Sequence, residues 1–462
     1  MSGWSWDTIE RLGIGSWIIA PAEGDAPPRG ASIDTRTLEP GNAFVAYAGA
    51  RTDGHRHLMD AQHRGAALAL VTSSHAVPDE LTIPTLGVGD ATEALTALAR
   101  AWRRGLGGRV IGVTGSNGKT TCVGLIASVL GQGARVSVSA RSYNNEIGVP
   151  LGLLNADPEA DFVVSEIGTS SPGEIDARSA LARPDIAVIT SIGRAHLEQL
   201  GSLEGVAREK ARILAHTSEL GIVPGDSGEL DAVLASDPPR IPLERIDAGR
   251  VRVTGGGVGS IAFTLDGEPF TAPLPGAHNA SSAAIAVLIG RACGLGDDPI
   301  RAGLARARVP EMRLDRVEIP TAGEPIVVYN DAYNANPDSM RAALSFFGAL
   351  DAPGKIAVLG DMLELGECAH DEHARLVADL EDAGIRAALV GPLLELAARE
   401  SDLTASASVS DESITAVART IEPGATVLLK ASRGIALERL IYVLINTHAP
   451  GAGRAGASAP DG

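Results

Sequence analysis

The chain predicts an α/β protein of three units, with a glycine turn at its centre. Apolar runs of strand length alternate with helical periodicity along most of the 462 residues, the pattern of layered and mainly parallel sheets. A glycine-rich turn, GVTGSNGKTT (112–121), separates a strand-like run from a helix-like one, as in a mononucleotide-binding sheet. A second series of apolar strands returns beyond residue 313, so another sheet follows the one that carries the turn.

Composition narrows the classes. At 45% hydrophobic the chain can bury a large core. A formal charge of −18 argues against a nucleic-acid partner, because no basic patch interrupts it. Cys122, Cys293 and Cys368 are too widely spaced for a zinc site and read as core residues of a protein in a reducing compartment. The start, MSGWSWDTIERLG, has neither a basic n-region nor an apolar h-region. The longest apolar run, ASSAAIAVLIG (280–290), is too short to span a bilayer, so a cytoplasmic protein with no membrane span is expected.

Taken in order, residues 1–105 form the first unit. It has strands at AFVAYAG (43–49) and AALALV (66–71), a helix between them, and a helix over 92–104 that runs into the linker RRGLGG. Residues 106–312 form the second, a P-loop sheet with strands RVIGVTG, ARVSVSA, DFVVSEIG and DIAVITSIG, and an added β hairpin within 250–274. Residues 313–446 form a third, Rossmann-like α/β unit with strands EPIVVYND, KIAVLGD, AALVG and TVLLKAS. The small-residue tail, 447–462, reads as disordered.

The glycine turn can hold a phosphate. Gly115 and Gly118 let backbone N–H groups of the Ser116–Asn117 loop and the helix start approach oxygens, and the helix N-terminus adds positive potential. Lys119 supplies a mobile charge for the β- and γ-phosphates and Thr120 an oxygen for Mg²⁺, with Thr121 beside it. The general P-loop pattern wants another glycine where Val113 stands, so this loop is a tighter one. Glu166 ends the strand DFVVSE at the carboxyl edge, where a carboxylate suits Mg²⁺. His196 follows the next strand at the same edge, although imidazole is an uncommon Mg²⁺ ligand. By composition alone, Lys210 in LEGVAREKARILA reads as a solvated helix lysine.

Longer motifs follow in a fixed order: DTRTLEPGNAFVAYAGARTDGH (34–55), SYNNEIGVPLGLL (142–154), SEIGTSSPGEI (165–175), AHLEQLGSLEGVAREKARIL (195–214), PLPGAHNASSAAIAV (273–287), YNDAYNANPDSMRAAL (329–344) and AVLGDMLELGE (357–367). Together with the tight loop they resemble the Mur ligase family over nearly the whole chain. The resemblance implies ATP and Mg²⁺ as cofactors. It places the phosphates on Gly115, Ser116, Asn117, Gly118, Lys119, Thr120 and Thr121, with Arg313 reaching the γ-phosphate from the third unit. It implies that His278 and Asn279 serve the nucleotide, that Asp331 takes the ribose hydroxyls, and that Thr120, Glu166 and His196 hold magnesium. Lys210 becomes, by the same resemblance, a carbamate that joins the metal ligands, which gives Lys119, His196, Lys210 and Arg313 catalytic roles. Asp34, Thr35 and Arg36 would contact the uridine nucleotide, and Asn144 and Asn145 the rest of that substrate.

The motifs NNEIGVP, YNANPDSM and GDMLELGE are most similar to the member that joins UDP-N-acetylmuramoyl-tripeptide to D-alanyl-D-alanine, acting as a monomer in peptidoglycan precursor synthesis. The chemistry implied is phosphorylation of the tripeptide carboxylate to an acyl phosphate, then attack by the dipeptide amine. The chain departs from the family pattern at Ser282, where a second asparagine would meet adenine, and at Ala277, Gly152 and Asn330. Two alternatives stay open: a Mur-type ligase adding a single amino acid, and a non-catalytic protein that uses ATP as a conformational switch.

Overall fold

The computed structural model describes residues 5–49, 52–139 and 143–448. It is an α/β protein built on four sheets. The first holds β1 (Gly15–Ile19), β2 (Ala31–Ser32), β3 (Ala43–Val45), β4 (Leu68–Thr72) and β5 (Thr85–Val88) in the order β1-β5-β4-β3-β2, parallel except for β1 against β5. The second is wholly parallel. Its strands are β6 (Arg109–Thr114), β7 (Val136–Val138), β8 (Phe162–Glu166), β9 (Ile186–Ile189), β10 (Leu220–Pro224) and β11 (Leu243–Ile246), in the order β11-β10-β9-β6-β8-β7. Strand β6 lies between β8 and β9, so the crossovers leave it in opposite directions and a crevice opens at its carboxyl end.

The expected hairpin is a three-stranded meander of β12 (Val251–Gly257), β13 (Ser260–Leu265) and β14 (Glu268–Ala272). Its second turn is Asp266-Gly267, with φ of +53° and +88°, a two-residue turn whose twist matches antiparallel strands. That Asp-Gly pair is the sequence signal for the extra strand. The fourth sheet holds β15 (Asp315–Ile319), β16 (Ile326–Asp331), β17 (Ile356–Gly360), β18 (Ala387–Val390), β19 (Thr404–Ser406) and β20 (Thr426–Lys430) in the order β15-β16-β20-β17-β18-β19, parallel except for the β15–β16 pair.

Packing joins what the sequence separates. The helix Ala91–Gly105 buries Leu95, Leu98 and Trp102 against the helix Gly148–Leu154 of the second unit, in one continuous apolar cluster. Each fully buried leucine of this kind contributes about 1.5–3 kcal/mol. The side chain of Asn155 pins the same seam, accepting from Ala31 N at 2.9 Å and donating to Ala31 O at 2.8 Å.

Local outcomes differ from the reading at two places. Thr447 and His448, read as part of the tail, belong to the helix Arg439–His448, whose apolar side buries Leu440 and Leu444; residues 449–462 lie outside the described residues. The parts of the motifs at 50–51 and 140–142 also lie outside them. Cys122 is buried, Cys293 is half-buried and Cys368 is exposed, so the last is no core residue. Among the described residues no helix is long and apolar enough to cross a membrane.

Candidate active site

The site forms where three loops of the second sheet meet the fourth sheet's unit. Gly115 leaves β6 at φ +147°, and a Cβ there would sit 1.9 Å from Thr190 Oγ1, so only glycine fits. Gly118 adopts φ +79° and opens the helix Lys119–Leu130, in which Cys122 N is the first amide to bond back, to Gly118 O. The amides of Gly118, Lys119, Thr120 and Thr121 therefore have no intrahelical acceptor and form an anion-binding helix start. Ser116 Oγ donates to Gly193 O at 3.0 Å and accepts from Gly193 N at 2.9 Å, and Asn117 N donates to Ser191 Oγ at 2.9 Å. These bonds lock the phosphate loop to the loop after β9.

Carboxylate and hydroxyl meet at the helix start. Thr120 Oγ1 donates to Glu166 Oε2 at 2.8 Å, and Asn144 Nδ2 donates to Glu166 Oε1 at 2.7 Å. Glu166 is buried. Asn145 caps the helix Gly148–Leu154, its Oδ1 accepting from Ile147 N at 3.2 Å and Gly148 N at 2.8 Å, and both asparagines face the cleft. His196 sits at φ +57° with Nδ1 2.7 Å from Glu364 Oε2, and its proximity holds the Glu364 carboxyl below the usual range.

Cations face these carboxylates across the cleft. Lys119 Nζ donates to Gly115 O at 2.8 Å; burial lowers its pKa, with Glu166 opposing and Arg313 adding to the effect. Arg313 lies between Met312 and Leu314, both at positive φ, with its guanidinium 4.2 Å from the centre of the Tyr333 ring. Lys210 is 1% exposed, and burial, with Lys119 adding to it, pushes its ammonium well below the usual lysine range. Composition alone read it as a solvated lysine, whereas the family resemblance made it a metal ligand. The helix Leu203–Ala211 instead turns it inward beside Val206 and Ala207.

On the other wall, Asp331 accepts from Lys430 Nζ at 2.5 Å, and the same ammonium donates to Asn334 O at 3.1 Å. Burial lowers the pKa of Lys430 and likewise of His278, whose charge Asp331 favours and Lys430 opposes. The side chain of Asn279 is turned to Pro275 O at 2.7 Å, and Ser282 stands beside Gly118, where a Cβ would lie 3.1 Å from its Oγ. The place of a larger residue at 152 is taken by Ser139, whose Oγ would be 2.4 Å from a Cβ there.

Two adjoining cavities result. One of about 510 Å³ is lined by Lys119, Glu166, His196, Arg313, Glu364 and their neighbours. The other, of about 280 Å³, is lined by Thr120, Thr121, His278, Asn279, Asp331 and Lys430. A larger cavity of about 770 Å³ lies beside β18 and β19 and contains none of these groups.

The structure does not bring Asp34, Thr35 or Arg36 to this cleft. They form a 3₁₀ turn in the first unit, where Asp34 accepts from Arg36 N at 2.8 Å and from Arg36 Nη2 at 2.9 Å, an interaction that keeps its carboxyl below the usual range. Residues outside the sequence-derived set complete the site: Glu364 against His196, Lys430 against Asp331, Tyr333 beneath Arg313, and Asn336 against Asn117. Glu364, Tyr333 and Asn336 lie in stretches quoted above for their motifs and Lys430 in the strand TVLLKAS, but none carries a local signal of its partner.

Comparison with known proteins agrees with this architecture. The Mur ligase middle domain matches residues 113–290, and the Mur ligase glutamate ligase domain matches 312–433. The chain is 35% identical over 430 residues to the UDP-N-acetylmuramoyl-tripeptide--D-alanyl-D-alanine ligase of Bacillus subtilis, covering 90% of this chain and 93% of that one. It is 33% identical over 428 residues to the ligase of the same name from Escherichia coli, covering 89% and 93%. Among solved structures, MurF from Acinetobacter baumannii superimposes with a TM-score of 0.81 at 28% identity, over 96% of this chain and 99% of that one. MurF ligase from Thermotoga maritima in complex with ADP gives 0.75 at 26% identity, over 90% and 97%. With the fold, the phosphate loop and these relatives in agreement, the chain belongs to the Mur ligase family.

Proposed function

We propose that this chain is an ATP-dependent ligase that joins the terminal carboxylate of UDP-N-acetylmuramoyl-tripeptide to the amine of D-alanyl-D-alanine, in peptidoglycan precursor synthesis. The observation that carries the reading is the single cleft in which the phosphate loop of the second sheet faces Arg313, Asp331 and Lys430 of the fourth sheet's unit. The name carried by relatives 30–35% identical over most of the chain supplies the substrates. In this reading residues 1–105 hold the UDP end through Asp34, Thr35 and Arg36, residues 106–312 hold ATP, and residues 313–446 close over it. The enzyme acts as a monomer in the cytoplasm.

A carboxylate is a poor electrophile, so the γ-phosphoryl group of ATP is first transferred to it, with ADP leaving. Lys119 and Arg313 offset charge on the group in transit. The dipeptide amine then attacks the acyl phosphate and phosphate leaves from the tetrahedral intermediate. Enclosure between the two units keeps water from the acyl phosphate. Asp331 accepts from the ribose hydroxyls on one carboxylate oxygen while Lys430 neutralises the other.

The donor set also fits magnesium. The hydroxyl of Thr120 and the carboxylate of Glu166, 2.8 Å apart, are the hard oxygen ligands that Mg²⁺ prefers. His196 and Lys210 complete the proposed set, the latter as a carbamate, since an ammonium cannot ligate a metal. Bound there, Mg²⁺ would screen the phosphate charges.

The test is the substrate dependence of phosphate release. Release from ATP should require both UDP-N-acetylmuramoyl-tripeptide and D-alanyl-D-alanine. Release with a single amino acid in place of the dipeptide would favour a different Mur-type ligase, and ATP binding without release under any combination would favour a nucleotide switch.

A further inference from the structure

Two of the contacts that fasten the fourth sheet's unit to the second meet the phosphate loop and the segment bonded to it. Asn336, the N-cap of the helix Pro337–Gly348, faces Asn117 as an amide pair. Its Nδ2 donates to Asn117 Oδ1 at 2.8 Å, and its Oδ1 accepts from Asn117 Nδ2 at 3.3 Å. The same Oδ1 accepts from Ser339 N at 2.9 Å, while Ser339 Oγ accepts from Asn336 N at 3.0 Å. Asn336 is 5% exposed, and its amide oxygen and nitrogen are both engaged within the chain.

Two residues further on, Asp338 repeats the arrangement. Its Oδ2 accepts from the backbone N of Arg194 at 2.7 Å, and its Oδ1 accepts from the Arg194 guanidinium at 3.4 Å and from Arg341 at 2.7 Å. A Cβ on neighbouring Gly193 would lie 2.6 Å from Asp338 Oδ2, so the approach needs glycine there. Gly193 is bonded in both directions to Ser116 of the phosphate loop, and the same segment leads to His196.

We propose that Asn336 and Asp338, which also line the two cavities, are positioning residues for phosphoryl transfer: through Asn117 and Arg194 they set the register in which Arg313 and Asp331 meet the phosphate loop. Asn117 then has a role beyond the phosphate loop itself, because its side chain serves the opposite unit. The proposal rests on the ligase reading given above. A neutral amide pair suits the task, since it is specific in geometry and adds no charge to compete with the polyphosphate. A misplacement of about 1 Å between reacting groups costs about 10²-fold in rate, so small losses of register are measurable.

The experiment uses the full chain and compares Asn117→Ala, Asn336→Ser and the double variant. Serine keeps the helix cap and removes the amide that pairs with Asn117. Each single variant should lower kcat by about 10- to 100-fold, and the double variant should fall no further than the worse single. ADP affinity by titration should stay within about twofold, and phosphate released should exceed amide formed as water enters the loosened cleft. Asp338→Asn, which keeps the acceptor for Arg194 N, should retain more activity than Asp338→Ala; this pair repeats the test should Asn336→Ser misfold. Losses that multiply in the double variant, or a raised KM for ATP with unchanged kcat, would overturn the proposal. Absence of ligation by the unaltered enzyme would instead overturn the ligase reading.

Discussion

Lys210→Met should make the protein more stable and inactive at once. The Lys210 side chain is 1% exposed, and burial drives its pKa well below the usual lysine value, with only Glu209 opposing. A buried polar group without adequate compensation costs about 1–3 kcal/mol, and more when charged. Methionine keeps the straight stem and most of the volume, so the core stays filled. The substitution should therefore stabilise by about 1–3 kcal/mol, and each kcal/mol moves the midpoint of a unit of this size upward by about 2–4 °C. Turnover should fall by at least about 10²-fold, because the carbamate oxygens proposed as metal ligands are gone. Thermal unfolding and phosphate release measured on the same preparation read both effects. Lys210→Ala should be inactive and partly rescued by short-chain carboxylates, which replace the missing oxygens in the space vacated. Lys210→Arg keeps a cation, cannot become a carbamate and should be inactive. An active Lys210→Arg enzyme would refute the reasoning.

Lys119→Ala should leave the fold intact and lower turnover by at least about 10²-fold, because among the described residues its Nζ hydrogen-bonds only the Gly115 carbonyl, at 2.8 Å; near wild-type phosphate release would count against its assignment. Asp34→Ala should raise KM for UDP-N-acetylmuramoyl-tripeptide by about 10-fold or more, the effect of losing a hydrogen bond to a charged group, and leave KM for ATP unchanged in steady-state kinetics. Asp315 gives a pH signature: burial raises its carboxyl to about 6, so the folded chain holds a proton that the unfolded chain has released. Its contribution is present below about pH 4 and is lost as pH rises through about 6, by at most about 3 kcal/mol given partial solvation. Asp315→Asn should flatten that slope in denaturant titrations made at several pH values.

The glycine turn was legible because its requirements are local. Gly115 and Gly118 take backbone angles that few other residues adopt, and the apolar run before them and the helix after them are short-range patterns. Glu166 was legible for the same reason, as the polar end of an apolar strand. The extra strand of the meander had a local signal as well, in Asp266-Gly267.

The remaining features depend on which strands become neighbours. Asp331 and Lys430 are 99 residues apart, and they pair because β16 and β20 run parallel in the register that sets Asp331 opposite Lys430. Asn117 and Asn336 are 219 residues apart and lie in loops that follow strands of different sheets. The continuous core between the first and second units could not be read from apolar periodicity, which says that a helix has a buried face and leaves open what covers it. Lys210 shows the limit most directly. Its helix is amphipathic by sequence, but only packing against the rest of the second unit turned the lysine inward, and burial rather than residue type set its chemistry. Sequence thus determined the conformations that a few neighbouring residues can enforce among themselves. Tertiary structure decided the charge state and partners of the groups in the cleft, because solvation and Coulomb energy depend on distance in space.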